Sequence, residues 1–299
     1  IAGPTGNGNR KVRGNLDQVS AYVQDQISLG EHLDLIGGLR YDRYENRISN
    51  VFTGAIVSRV DQLWSPRIGL VYKPVPQASI YVSYSRSYLP QGGDQFVTFD
   101  VTNAALEPET FDNYEIGAKW NITPKLTFTT AVYRLDRGNT RAPGPTTGTI
   151  VQTGSQRSSG FELALAGRIT SKWTASLGYA HTSAKIRETT SAAPAGRRVG
   201  QVPRNQFSLW NRYDVTSRLG LGLGLAHQSR QFTSISNTTF LPAYTRIDAA
   251  LFYAVSDRLE LQVNIENLTD TRYFPIAHND NNISTGAPIN GRFTLAAKF

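Results

Sequence analysis

The sequence predicts an all-β fold, a transmembrane antiparallel β-barrel of about thirteen strands. Three observations predict it. A short turn of the form Ile/Val-Thr/Ser-x-Lys/Arg-Leu/Trp recurs along the chain, at Ile122–Leu126, Ile169–Trp173, Val215–Leu219 and Val255–Leu259, with looser relatives at Leu29–Leu33 and Val75–Ala78. Taking positions 32, 77, 125, 172, 218 and 258 as markers, the turns are 40 to 48 residues apart. Each period holds two strands and one long loop, so tight turns alternate with long ones, as they do when one side of a barrel faces the periplasm and the other the outside. Second, the segments between turns alternate apolar and polar residues. Third, they are about 10 to 14 residues long, enough for a tilted crossing of a bilayer.

The strands justify this in order. Leu33, Leu35, Leu39 and Tyr41 oppose Arg40 and Asp42, and Tyr114, Ile116, Ala118 and Trp120 oppose Glu115, Gly117 and Lys119. Leu219, Leu221, Leu223 and Leu225 alternate with Gly220, Gly222, Gly224 and Ala226. In Leu259–Glu266 four aliphatic residues face away from Glu260, Gln262, Asn264 and Glu266, and Phe293, Leu295, Ala297 and Phe299 close the chain in the same rhythm. A period of two places alternate side chains on opposite faces. Aromatics near strand ends (Trp120, Tyr133, Trp173, Tyr179, Tyr213, Tyr253 and Phe299) are expected to face outward as interfacial girdles. A soluble sandwich would put its aromatics at mid-strand, and a propeller of this period would need four short strands where only two long ones fit. The long loops fall at Glu45–Gln62, Leu89–Asp112, Arg137–Ile150, Ile186–Gln201, Arg230–Pro242 and Arg272–Gly286.

Composition is consistent with a barrel. Apolar residues make up 39% of the chain, and the mean hydropathy is −0.33; only every second residue of a barrel strand meets lipid. The longest apolar run, Ala249–Val255, is far short of the roughly 20 residues of a spanning helix. The absence of cysteine excludes disulfides, thiolate metal sites and cysteine nucleophiles. A net charge of +8 suits an anionic partner, but the basic residues are scattered, and nucleic acid is not expected. No Met or signal segment opens the chain, and an odd strand count would leave an open edge that lipid cannot satisfy. The chain is therefore expected to be part of a longer one.

Two segments carry a family resemblance. Leu106-Glu107-Pro108-Glu109 with Asn113-Tyr114-Glu115-Ile116-Gly117-Ala118-Lys119-Trp120, and Asn264–Phe274, resemble signatures of TonB-dependent outer-membrane receptors, as does the terminal aromatic Phe299. Ala131–Arg137, Thr153–Arg157 and Ala277–Asn282 resemble the catecholate siderophore receptors within that family. The resemblance covers residues 1–299 and implies a barrel of about 22 strands filled by a plug. On that expectation the chain is the C-terminal part of the barrel. The plug, the TonB-contacting segment and roughly the first nine strands lie outside it. The resemblance further implies an outer-membrane receptor for ferric siderophores, set in outer-membrane lipids and energised by TonB. It implies no cofactor of the protein's own, because iron arrives chelated.

A ferric catecholate is anionic and aromatic, so Arg, Gln and Tyr at outer strand ends suit it through charge-assisted hydrogen bonds and cation–π contacts. Tyr88, Arg137, Arg141, Gln156, Arg157, Gln228 and Arg230 stand at such positions and are expected to bind collectively. The competing reading pairs each arginine with a lumenal carboxylate such as Asp136 or Glu162. His278 beside Asn279–Asn282 lacks the convergent ligands of a metal site. No G-x-S-x-G or H-E-x-x-H motif supports an enzyme. A passive porin, a hydroxamate receptor and a docking surface for phage or bacteriocin use the same architecture.

Overall fold

The recurrent turn owes its Thr or Ser to a hydroxyl that caps the turn. Thr170 Oγ1 accepts the backbone N–H groups of Lys172 and Trp173 at 3.3 and 3.1 Å. Thr216 Oγ1 does the same for Arg218 and Leu219 at 3.2 and 3.0 Å. Thr123 accepts from Lys125, and Ser256 from Arg258. A side-chain acceptor two or three residues upstream satisfies donors that the ladder leaves free at the reversal.

The computed structural model describes residues 12–52, 54–90, 107–143, 150–190 and 193–298. In chain order the strands are β1 (Val12–Leu29), β2 (Leu33–Asn50), β3 (Ile56–Val75), β4 (Ala78–Leu89), β5 (Glu109–Thr123), β6 (Leu126–Pro143), β7 (Ile150–Arg168), β8 (Trp173–Ile186), β9 (Asn205–Asp214), β10 (Leu219–Gln228), β11 (Gln231–Phe232), β12 (Phe240–Leu241), β13 (Tyr244–Ser256), β14 (Leu259–Glu266), β15 (Ile276–Asn279), β16 (Asn282–Ser284) and β17 (Asn290–Ala297). Thirteen of them form one antiparallel sheet in sequence order, with β11–β12 and β15–β16 as separate hairpins inside two long loops. The expected thirteen strands are all there. Phe299 lies outside the described residues, as does most of the loop between β4 and β5.

Two expectations are corrected. The strands of the first half are longer than 10 to 14 residues: β2 has 18, β3 has 20 and β7 has 19. Much of the supposed loops Glu45–Gln62 and Arg137–Ile150 is paired strand, and β2 and β3 stay in register out to Ser49↔Ile56. Outside the bilayer both faces of such a ribbon are wet, so its residues lose the alternation that marks a strand, while the backbone still pairs. The second correction concerns Tyr133. It lies directly opposite Glu115 and Gly160, on the polar face, and its hydroxyl shares a 2.9 Å hydrogen bond with Thr182.

The two faces differ as lipid and lumen require. On one, Ile68, Ile116, Val132, Leu223 and Leu251 are 40–57% exposed, and only a hydrocarbon environment makes such a surface favourable. On the other, the buried side chains include Asp34, Asp42, Asp61 and Glu109. Each is neutralised nearby: Lys73 Nζ stands 2.5 Å from Asp34, and Arg40 donates to Asp42 at 2.7 Å alongside Ser20 and Gln18. A common device is Arg-x-Asp within one strand, as at Arg40/Asp42, Arg59/Asp61, Arg212/Asp214 and Arg246/Asp248. Residues two apart on a strand share a face, so the pair closes without help from a neighbour. The Leu/Gly alternation of β10 has its own cause. Trp210 of β9 lies across the lumenal side of β10, where a Cβ at Gly222 would sit 2.8 Å from its Cζ2.

Candidate ligand-binding surface

The predicted site residues divide between the two faces. Arg137 and Gln156 are cross-strand partners on the lumenal face. Arg137 is already engaged: its Nη2 lies 2.5 Å from Glu109, whose side chain is 6% exposed, and its guanidinium sits 5.4 Å from the Phe111 ring centre. Gln228 ends β10 opposite Gln206 and Tyr244. It helps line a lumenal hollow of about 610 Å³ with Tyr81, Glu162 and Ser208. Tyr88 and Arg157 belong to the other face. Tyr88 follows Tyr84 and Arg86 there, and Arg157 pairs with Asp136 at 2.5 Å. The competing reading is right about the pairing, but Asp136, expected in the lumen, lies on the bilayer face because register sets it between Asp112 and Arg157. Arg141 is a register partner of Gln152; its side chain lies outside the described residues. Arg230 is exposed beyond β10.

Around Arg230 the loops build a basic cluster that sequence spacing does not reveal. Phe232 of β11 and Phe240 of β12 are cross-strand partners. Arg198 lies over the Phe232 ring and Arg230 over the Phe240 ring, each 5.7 Å from the centroid. Arg198 reaches the hairpin from the β8–β9 loop, where Asn237 holds its backbone through two 2.9 Å hydrogen bonds. Arg204, just before β9, joins them. Burial, then the positive charges of Arg204 and Arg230, lower the pKa of the Arg198 guanidinium from its ordinary value. Among the described residues none of the three arginines makes an ion pair. Three cations kept together with no ion-pair partner among the described residues favour any anion that can sit among them. The sequence shows arginines at 197, 198 and 204, but only the folding of one loop against another brings 198 and 204 to 230.

Asp280 fixes the neighbouring loops. It is the acceptor for Thr233, and also for Ser236 at 2.7 Å and Thr238 at 3.3 Å, which ties the β15–β16 hairpin to the β11–β12 hairpin. These hydroxyls hold its carboxyl down at about 2. A depressed carboxyl stabilises the folded loops above its unfolded value near 3.8, and that contribution is lost as the pH falls from there through about 2. Asp280→Asn should therefore raise hydrogen exchange in residues 231–241 at neutral pH. Wild-type protection should persist at pH 5 and fail only in stronger acid. Unchanged exchange in the variant would show that the hydroxyl contacts do not couple the hairpins.

His278 is exposed, and among the described residues no three His, Asp or Glu side chains gather as a metal site. His181 stacks on Phe161 at 5.6 Å and contacts Asn205, while His227 contacts Thr245. Both have structural partners.

Comparison with known proteins decides the family. Residues 1–268 match the family model described as TonB dependent receptor-like, beta-barrel. The chain belongs to this family. Over 284 residues the receptor chain is 31% identical to the probable TonB-dependent siderophore receptor PiuA of Acinetobacter baumannii, covering 88% of this chain and 38% of the relative. It is 28% identical over 305 residues to the catecholate siderophore receptor Fiu of Escherichia coli, covering 91% and 40%. The crystal structure of the siderophore receptor PiuA from A. baumannii superposes with a TM-score of 0.89 at 28% identity, over 96% of this chain and 44% of that one. The receptor chain thus spans about two fifths of the length of these relatives. It forms part of an outer-membrane β-barrel of the TonB-dependent receptor family.

Proposed function

We propose that the whole receptor of which this barrel wall is part imports a ferric siderophore of the catecholate class, energised by TonB through a segment outside this chain. The observation that carries the reading is the Arg198–Arg204–Arg230 cluster of the long loops, in which Arg198 lies over Phe232 and Arg230 over Phe240. A ferric tris-catecholate is a compact trianion with aromatic edges. Guanidinium groups bind such charge through hydrogen-bond forks, and their planes offer cation–π contact to the catechol rings. Iron is cargo here: the siderophore supplies its ligands, and the protein recognises the periphery of the chelate. The resemblance to Fiu supports the catecholate class.

The test is titration of the full-length receptor with ferric mono-, bis- and tris-catecholates and with a ferric hydroxamate. Affinity should rise with the negative charge of the catecholate complex and fall with added salt. Tighter binding of the hydroxamate would overturn the catecholate class while leaving the family standing. Liposome swelling supplies a second check. A plugged receptor should stay closed to small sugars, and free sugar entry would favour a porin.

A further inference from the structure

The apolar face changes character abruptly at its outer end. Beyond the rings of Tyr84 on β4, Tyr114 on β5 and Phe161 on β7, two to four residues further out on the same face, stand Arg86, Asp112 and Arg157, with Tyr88 past Arg86 at the end of β4. On β6, Val132 is followed at that spacing by Arg134. These charges are organised. Arg86 grips Asp112 through Nε and Nη2 at 2.7 and 2.8 Å, and Tyr84 donates to the same carboxylate at 2.7 Å. Asp136 is shared by Arg134 and Arg157 at 2.7 and 2.5 Å. Strand register sets Arg86, Asp112, Asp136, Arg157 and Lys185 in one cross-strand row. Lys185 is exposed and makes no ion pair among the described residues. Arginine, lysine and carboxylate together leave the row cationic, and the guanidinium side chains of Arg86, Arg134 and Arg157 keep 31–49% of their surface exposed.

A lumenal ligand does not meet this face. Just beyond the aromatic rim of a barrel's long-loop side, the neighbouring matter is the headgroup layer of the outer leaflet. We propose that the arginine collar of β4, β6 and β7, continued onto β8 by Lys185, seats the phosphate groups of outer-leaflet lipid. The carboxylates hold the guanidinium planes along the wall, and their remaining N–H donors, with the Lys185 ammonium, meet phosphate oxygens in charge-assisted hydrogen bonds. Tyr114, with Arg134 5.8 Å over its ring, supports the acyl side of the same lipid.

The experiment uses the full-length receptor in detergent and measures binding of bisphosphorylated lipid A, its dephosphorylated form and inorganic phosphate. Each cation near a lipid surface contributes about fivefold in binding. Arg134→Gln with Lys185→Gln should therefore weaken the phosphorylated lipid about twenty-fivefold, and the dephosphorylated lipid should bind the wild type no better than the variant. Arg134→Gln leaves Asp136 its bond to Arg157; if the double variant still fails to fold, Lys185→Gln alone should lose about fivefold. Equal binding of both lipids, unchanged affinity in the variants, or inorganic phosphate binding as tightly as the lipid would overturn the proposal.

Discussion

Replacing Arg198, Arg204 and Arg230 together by glutamine should lower affinity for a ferric tris-catecholate at least about a hundredfold, because a hydrogen bond to a charged group contributes roughly 1.5–3 kcal/mol. Barrel unfolding should be unaffected. None of the three makes an ion pair among the described residues, so their removal strands no partner. The salt dependence supplies an internal check, since wild-type binding should weaken as ionic strength rises and the variant should respond little. Titration by intrinsic fluorescence quenching would read both effects. An unchanged affinity would dissociate the cluster from ligand binding. Arg137 makes the useful contrast. Its truncation leaves Glu109 buried and unpaired, so its first effect should be on stability and only then on binding.

Gly167→Ala should be the most damaging single substitution in the wall, costing about 3 kcal/mol or more in urea unfolding of the detergent-solubilised barrel. Two effects add at this position. Gly167 has φ +137, a conformation closed to residues with a side chain. A Cβ there would also come under 3.0 Å from the Lys125 carbonyl oxygen, which accepts the Arg168 N–H at 2.8 Å. Backbone held by a hydrogen bond cannot give way. Gly117→Ala makes the milder comparison: its Cβ meets the far end of the Tyr81 ring at 2.5 Å, a side chain that can swing aside at the expense of its hydrogen bond to Glu115. Gly37→Ala, with nothing within 4 Å, should be nearly neutral. If Gly167→Ala and Gly37→Ala unfold at the same urea concentration, the close approach of β6 and β7 is not the constraint described here.

Much of the fold was legible because the signals are local. The Thr and Ser of the recurrent turn act on donors two or three residues away, so the turn motif, the strand count and the side of the tight turns could be read from short windows. Alternation likewise assigned the lipid and lumen faces of β5, β10, β14 and β17, because a period of two is a property of one strand. It misled where its premise lapsed. Beyond the bilayer β2 and β3 have water on both sides, and a real ribbon there looked like loop. Tyr133 is expected outward as an aromatic near a strand end, whereas its register opposite Glu115 places it on the lumenal face.

The residues that could bind a ligand were less legible, for a physical reason. Sequence position placed Arg137, Arg157 and Arg230 alike at outer strand ends. Only tertiary structure decided that Arg137 neutralises a buried carboxylate, that Arg157 faces the bilayer side, and that Arg230 joins Arg198 and Arg204 across two loops. The chain by itself determined a barrel wall with a greasy face and a wet one, since each strand's pattern is fixed by its own backbone pleat. Which charges cancel and which remain available depends on register between strands and on loop crossings, and those distances are set only when the sheet has assembled.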